Sequence, residues 1–277
     1  MTDDRATRWD MDPDVLPGID AHIPNAARMY NYLLGGKDNL PADRRAAERL
    51  LTVAPEAREL ALRSRAFLHR AVRHLAADAG IRQFVDIGSG LPEGRTVHEV
   101  AAEADPGTRV AYVDNDPVVL AHSRAMSGAT CTVTVEGDLR RPEEIMADDG
   151  LRSVIDLSEP VAILLVAVTH FLPDGDRPEE KIARLCDAVP PGSYLVMSHA
   201  TDEERAGAAH LGASVYRGTN VTMTLRDRER IRELFDGFKI KEPGLVPLDD
   251  WHPEDEAPPM RGRDMPVWSL CGVGRSS

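Results

Sequence analysis

Three short segments place carboxylates where chemistry is plausible: Asp86-Ile87-Gly88-Ser89-Gly90, Tyr112-Val113-Asp114-Asn115-Asp116 and Glu136-Gly137-Asp138-Leu139. Each follows an apolar run, and the first carries two glycines that let backbone approach a ligand closely before turning into a helix. A Gly-x-Gly turn by itself also serves simple packing, Asp114 alone reads equally as a cap, and Asp138 alone as a solvated loop carboxylate. Taken together, three acids at successive strand ends would surround an adenosine with acceptors. Asp114 is placed for the ribose hydroxyls and Asp138 for the exocyclic amine.

The charge pattern selects among adenosines. A nicotinamide or flavin dinucleotide requires a third glycine three residues after Gly90, where Glu93 stands and would repel a pyrophosphate. No Gly-x-x-x-x-Gly-Lys-Ser/Thr occurs, which removes an ATP-binding P-loop. A cationic sulfonium attached to an amino acid instead welcomes acids, so S-adenosylmethionine fits, with Asp86 near its amino group.

Those segments need a scaffold. The chain has 277 residues, 42% hydrophobic, enough for a substantial core. From Ile81 onward short apolar runs alternate with helical patterns: QFVDI, RVAYVD, TCTVTVE, PVAILLVAV and SYLVMSH as strands, then FKIKEPGLVPL and MPVWSLCGV as a closing antiparallel pair. Thr132 and Thr134 alternate with valines as on an edge strand, whereas PVAILLVAV is apolar throughout, as a central strand should be. Asp116 and Pro117 open a helix as N-cap and first residue. Thr224 and Asp227 read as a capping box for a helix burying Ile231, Leu234, Phe235 and Phe238. Ahead of the sheet, helices are expected near 25–34, 42–51 and 55–79, the last stopped by Gly80. Residues 1–24 read as an irregular arm, 25–80 as a helical cap and 81–277 as the Rossmann-like domain.

Bulk properties exclude several classes. A formal charge of -13, from 46 acidic and 33 basic side chains, repels phosphate backbones and anionic lipid, so neither nucleic acid nor membrane is expected as partner. Cys131, Cys186 and Cys271 form no C-x-x-C pair, and no His/carboxylate spacing indicates a metal. With no apolar signal run at the start, a cytoplasmic protein is expected.

The segments PNAARMYNYLLGGKDN, FVDIGSGLP, YVDNDPVVL and PVAILLVAVTHFL resemble the actinobacterial S-adenosyl methyltransferase family, formerly a family of unknown function. The resemblance runs from Pro24 to the C-terminus. It implies a class I methyltransferase fold, a seven-stranded, mostly parallel α/β sheet of order 3-2-1-4-5-7-6 with helices on both faces and an N-terminal helical lid. It implies Asp86, Gly88, Ser89 and Gly90 on the methionine part of the cofactor, Asp114 on the ribose, Asn115 beside the adenine, Asp138 and Leu139 on its edge, and Ala167 nearby. The chain departs from amine methylases of nucleic acid, reading Val168-Thr169-His170-Phe171 where those carry Asn/Asp-Pro-Pro-aromatic. A small-molecule substrate is therefore expected. A sensor of S-adenosylmethionine or S-adenosylhomocysteine without turnover, and a dinucleotide oxidoreductase, are the competing classes.

Two elements touch the substrate question. If Ala26, Met29, Tyr30 and Leu33 face the core, Arg28, Asn31 and Tyr32 share a second face that can point to the ligand, and Gly35 and Gly36 with Lys37 can offer N–H groups to a carboxylate. The alternative is a plain helix connection with packed tyrosines; the family resemblance favours the lid. His170, just past the central strand, is the candidate general base, with His199 second; packing beside Phe171 is the alternative for His170. Tyr216 and Trp251 are candidates to line an apolar pocket.

Overall fold

The structure is a computed structural model that describes residues 20–126, 131–252 and 266–277. Most of the expected arm and residues 253–265 of the loop before the last strand lie outside these. Three helices come first: α1 (Ala26–Leu34), α2 (Pro41–Val53) and α3 (Ala57–Ala77). The alternating part follows as β1 (Gln83–Ile87), α4 (Val97–Ala101), β2 (Arg109–Asp114), α5 (Pro117–Met126), β3 (Thr132–Glu136), α6 (Pro142–Ala147), α7 (Asp149–Val154) and β4 (Ala162–Leu165). It closes with α8 (Pro178–Asp187), β5 (Tyr194–Ala200), α9 (Ala206–Val215), α10 (Arg228–Glu233), β6 (Phe238–Ile240), β7 (Val246–Pro247) and β8 (Ser269–Ser276).

The sheet order is β3-β2-β1-β4-β5-β8-β6, with β7 also paired to β8; strands β1 to β5 are parallel and β8 runs antiparallel to β5, β6 and β7. This is the expected methyltransferase order, with one strand more. The segment FKIKEPGLVPL, expected as a single strand, is split because Pro243 has no N–H to donate and Gly244 takes φ +97°. Both halves still pair with β8.

Successive residues of each strand point to opposite faces, and the core divides accordingly. Val85, Ile87, Ile163, Leu165, Leu195 and Met197 pack under α6, α7, α8 and α10, while Phe84, Ala162, Leu164, Val196 and Val273 pack under α3 and α4. A third cluster joins Met29 and Leu33 of α1, Ala46, Ala47 and Leu50 of α2, and Ala57 and Ala61 at the start of α3. Helix α3 therefore belongs to the cap at one end and to the sheet layer at the other, which ties the cap rigidly to the strand ends.

Local chemistry explains the boundaries. Asn25 caps α1, its side chain accepting from Ala27 N at 2.7 Å, and Gly35 ends that helix at φ +90°. Asp43, fully buried, accepts from Leu40 N and from Asn25 N at 2.8 Å each, so one carboxylate fixes the starts of both helices. Asp116 caps α5 through Val118 N at 2.7 Å. Before α10 the capping is by Asp227 alone, which accepts from Arg230 N at 2.8 Å; Thr224 instead gives its N–H to His170 O at 2.7 Å, so the expected capping box does not form. That helix ends at Glu233, leaving Leu234, Phe235 and Phe238 buried beyond it. Helix α9, AGAAHLGASV, gives little periodic signal, since it is nearly all small residues and shows little amphipathic contrast.

Candidate active site

One cavity, about 560 Å³, runs from the carboxyl ends of β1 to β4 to the cap helices and α9. This is where parallel sheets of this kind bind ligands. Asp86, Gly88, Ser89, Gly90, Asp114, Asn115, Asp138, Leu139, Ala167 and His170 all line it, so the strand-end residues picked out by the sequence are brought together.

The glycine turn is shaped by its neighbours. Gly88 has φ +73°, and a Cβ there would lie 2.5 Å from Val168 Cγ2. Gly90, at φ +67°, has open space around it and gives its N–H to Asp114 Oδ2 at 2.9 Å. The helix after the turn begins only at Val97, so its amino end is not presented to the cavity as the sequence suggested; a Thr96–Glu99 capping box starts it, with Thr96 N bonded to Glu99 Oε2 at 2.8 Å. Ala167 sits in the left-handed region, φ 57°, held by its N–H to Ser198 Oγ at 2.9 Å. Backbone strain of this sort in a non-glycine residue concentrates at functional sites.

The acids differ in state. Burial pushes the Asp86 carboxyl up to about 7, opposed by the Arg65 guanidinium and assisted by Asp114. Asp114 is raised by burial as well, against the N–H groups of Asp116 and Gly90 that it accepts. Asp138 is lowered: its partial burial is outweighed by Arg140, which forks onto it at 2.7 to 3.0 Å. Arg140 was not foreseen as the partner of Asp138.

Arg65 of α3 was also missed. It lines the cavity, acts on Asp86, and leaves a buried Nε without a partner among the described residues. Ser89 Oγ, His170 Nδ1 and Trp268 Nε1, on residues of the same lining, are also buried and unpartnered among the described residues. Buried polar groups are seldom left so, and these gather around one cavity from separate elements, as groups that meet a ligand do. No sequence signal separates Arg65 from Arg58, Arg63, Arg70 and Arg73 on the same helix.

His170 lies in a single helical turn, Thr169–Phe171, buried against the rings of Phe171 and His199 at 4.4 and 5.8 Å. Burial first, then the proximity of His199 and Arg226, drives its pKa well below the ordinary value, so the ring is neutral at pH 7. His199 is not a second base. Arg226 donates to its Nε2 at 2.7 Å, which places its proton on Nδ1, bonded to Ala200 O at 2.7 Å.

The cap face is rotated from its expected setting. Tyr30 and Leu33 line the cavity along with Ala26 and Ala27, and the Tyr30 hydroxyl donates to Ala61 O at 3.0 Å. Arg28 turns away into a buried ion pair with Asp43, 3.0 Å, and Asp116, 3.7 Å. Tyr32 bonds Glu48, and Asn31 spans Glu93 and Asn39 at 3.3 and 2.8 Å. The Gly35 and Gly36 N–H groups are consumed by Tyr32 O and Asn31 O at 3.0 and 2.9 Å, so they form no anion nest, and Lys37 is exposed. Gly36 is needed instead for closeness: a Cβ there would fall 2.2 Å from Asn31 Nδ2. The reversal arises because Arg28 finds two buried carboxylates on the far side, a preference that helical spacing cannot reveal. Trp251, too, is core, packed edge-on to Phe67 at 5.5 Å, whereas Tyr216 does line the cavity.

Among the described residues no helix is long and apolar enough to cross a membrane, and no group of three His, Cys, Asp or Glu is arranged to hold a metal.

Comparison with known proteins places the fold and the family. The crystal structure of a DUF574 family protein from Streptomyces avermitilis is similar at 37% identity and a TM-score of 0.88, covering 93% of this chain and 99% of that one. The crystal structure of a candidate methyltransferase from Thermobifida fusca is similar at 37% identity and a TM-score of 0.87, over 94% of this chain and 97% of that one. No curated protein matches the chain. A model of the S-adenosyl methyltransferase family matches residues 14–277. The chain belongs to the S-adenosyl methyltransferase family, and it is a methyltransferase dependent on S-adenosylmethionine.

Proposed function

We propose that the enzyme methylates a small molecule held in the cap-facing half of the cavity, with S-adenosylmethionine bound across the ends of β1 to β4. The observation that carries this is the continuity of the cavity, which joins the strand-end acids to a wall built from α1, α3 and α9 with no second opening of the sheet required. Its size is that of a small-molecule site.

In this reading Asp114 accepts from the ribose hydroxyls, and Asn115, Asp138 and the backbone of Leu139 border the adenine. Gly88 and Ala167 let backbone come close to the cofactor. Asp86 faces the amino group, and Arg65 takes the carboxylate that the Gly35-Gly36 turn cannot. The unpaired Nε of Arg65 and Oγ of Ser89 support this assignment. When bound, the cofactor supplies a methyl group already activated on a sulfonium. The protein then has to align the acceptor, and alignment of this kind contributes ~7 to 11 kcal/mol of barrier reduction when well executed. The cap helices and α9 act as the lid that excludes water, and His170 takes the acceptor's proton where it has one to lose.

A pH experiment tests the placement. In the free protein Asp86 titrates near 7, so it is largely protonated at pH 6. A cation beside it favours the carboxylate, hence binding expels a proton and affinity rises as pH climbs from 5.5 to 7.5. Calorimetric titration in buffers of different ionisation enthalpy should show that release, and Asp86→Asn should abolish both the release and the slope. Affinity independent of pH in the native protein would remove Asp86 from the cofactor site. Without ligand the same shift has the opposite sign for folding: stability falls between about pH 4 and 7, because the native carboxyl keeps a proton that the unfolded chain has lost.

The family match lends nothing to a dinucleotide oxidoreductase. Glu93, expected to disfavour a pyrophosphate, has a structural task as well, accepting from Asn31 and so fastening the glycine turn to α1.

A further inference from the structure

We infer that the acceptor is a flat, uncharged, mainly apolar molecule presenting a hydroxyl, and that the product is its methyl ether. The inference rests on the cofactor placement above and adds the chemistry of the other half of the cavity.

The cavity's carboxylates, Asp86, Asp114, Asp138 and Asp176, lie on the strand-end side, Asp176 beside Arg140; the lining contributed by α1, α2, α3 and α9 has none. Its one charged side chain is Arg65, at the cofactor end against Asp86, and Arg217, just past α9, is exposed at the rim. An amine entering as an ammonium ion would lose water with no counter-ion on that wall and with two cations as company. A carboxylate would have to give up its hydration for a guanidinium that stays in water. The surface offered is instead aromatic and small. The Phe171 and Tyr216 rings pack against each other, centroids 5.4 Å apart and tilted by 51°, and make one aromatic face of the cavity, beside which Ala57, Ala61, Ala209 and Ala213 present only small side chains. Flat ring systems pack against such an aromatic face.

Polarity on this side comes from uncharged groups with unmet hydrogen bonds among the described residues, Trp268 and His170. A neutral, weakly basic imidazole suits a hydroxyl. As the hydroxyl oxygen bonds to the methyl carbon, the carbon–sulfur bond breaks and its electron pair stays on sulfur. The oxygen becomes strongly acidic, and its proton passes to the His170 ring and then to solvent. The imidazole needs little basicity for that, so its depressed basicity is no obstacle. An amine product would hold its proton against such a base.

Three probes of equal shape decide the matter: 2-naphthol, 2-(aminomethyl)naphthalene and 2-naphthoate, each titrated into the full-length protein saturated with S-adenosylhomocysteine. The naphthol should bind at least tenfold more tightly than either charged probe, and with labelled S-adenosylmethionine it should yield the methyl ether. His170→Gln should lower that turnover by about 100-fold or more. It should leave naphthol affinity within threefold, and the residual rate should climb with pH as the naphthol itself ionises, a rescue that a merely structural histidine would not show. Tighter binding of the amine or the carboxylate, binding of none of the three, or an unchanged rate in His170→Gln overturns the inference. Failure of S-adenosylhomocysteine to bind in the first place would instead overturn the cofactor placement on which it rests.

Discussion

Replacing Arg28 by Met should unfold the protein at a markedly lower temperature, by roughly 10 °C. Arg28 is 4% exposed and lies between Asp43, 0% exposed, and Asp116, 4% exposed. Truncating one member of a buried ionic group leaves the others desolvated and unpaired, which costs about 3 to 5 kcal/mol. The loss is not confined to the cap. Asp116 also gives its N–H to Asp114 Oδ1 at 2.9 Å, and Asp114 Oδ2 holds Gly90 N, so the ion pair runs by contact into the cofactor end of the cavity. Cofactor affinity should therefore fall together with stability. Because Asp43 is the carboxylate left without its ion partner, Arg28→Met combined with Asp43→Asn should cost less than the two single changes added. A melting temperature within two degrees of the native value would show that this cluster holds nothing together.

Gly88→Ala should be the more damaging of two similar-looking changes in the glycine turn. At both Gly88 and Gly90 a side chain meets a left-handed backbone, which disfavours alanine by about 1 to 2 kcal/mol. Only at Gly88 does the new methyl also strike a neighbour, with Val168 Cγ2 at 2.5 Å and Cβ at 2.9 Å. A branched side chain cannot swing clear by its tip alone, and overpacking of this kind adds about 1 to 3 kcal/mol. Val168 follows the strained Ala167, so the displacement passes straight into the cavity wall. Denaturation should rank native, Gly90→Ala, Gly88→Ala in falling stability, and the last should lose at least tenfold in cofactor affinity. Equal behaviour of the two variants would mean that Val168 yields freely and that the closeness at Gly88 has no functional weight.

The legible and illegible parts of this molecule divide by the range of the interaction that set them. Strands β1, β2, β4 and β5 could be read from runs of apolar residues, because a parallel sheet covered on both faces imposes its demand on every residue in the run, as in the fully buried Ala162–Leu165, and the edge strand β3 from its alternation of threonine and valine. The strand-end acids were visible for the same reason, since each follows such a run directly. The cap was legible as helices but not as a surface. Its period located α1 within a residue, yet which face meets the cavity was decided by Asp43 and Asp116, 15 and 88 residues along the chain from Arg28. Helix α9 escaped notice because its alanines and glycines carry no contrast between faces, although Ala209, Gly212 and Tyr216 near its end supply part of the cavity wall. Arg65 could not be distinguished from four other arginines of α3 until Asp86 was placed beside it.

The distinction also accounts for the two histidines. His170 and His199 occupy the same layer at adjacent strand ends, and the sequence ranked them first and second as candidate bases. Arg226, arriving from a distant loop, binds the His199 ring, whereas His170 Nδ1 has no partner among the described residues.

The most direct test of the whole account is a crystal structure with S-adenosylhomocysteine soaked into the cavity. The ribose should sit on Asp114, the purine between Asn115 and Leu139, and the amino acid tail between Asp86 and Arg65, with its sulfur facing the space bounded by His170 and Tyr216. A purine lodged elsewhere on the molecule, or a ligand that leaves Asp86 and Asp114 untouched, would contradict it.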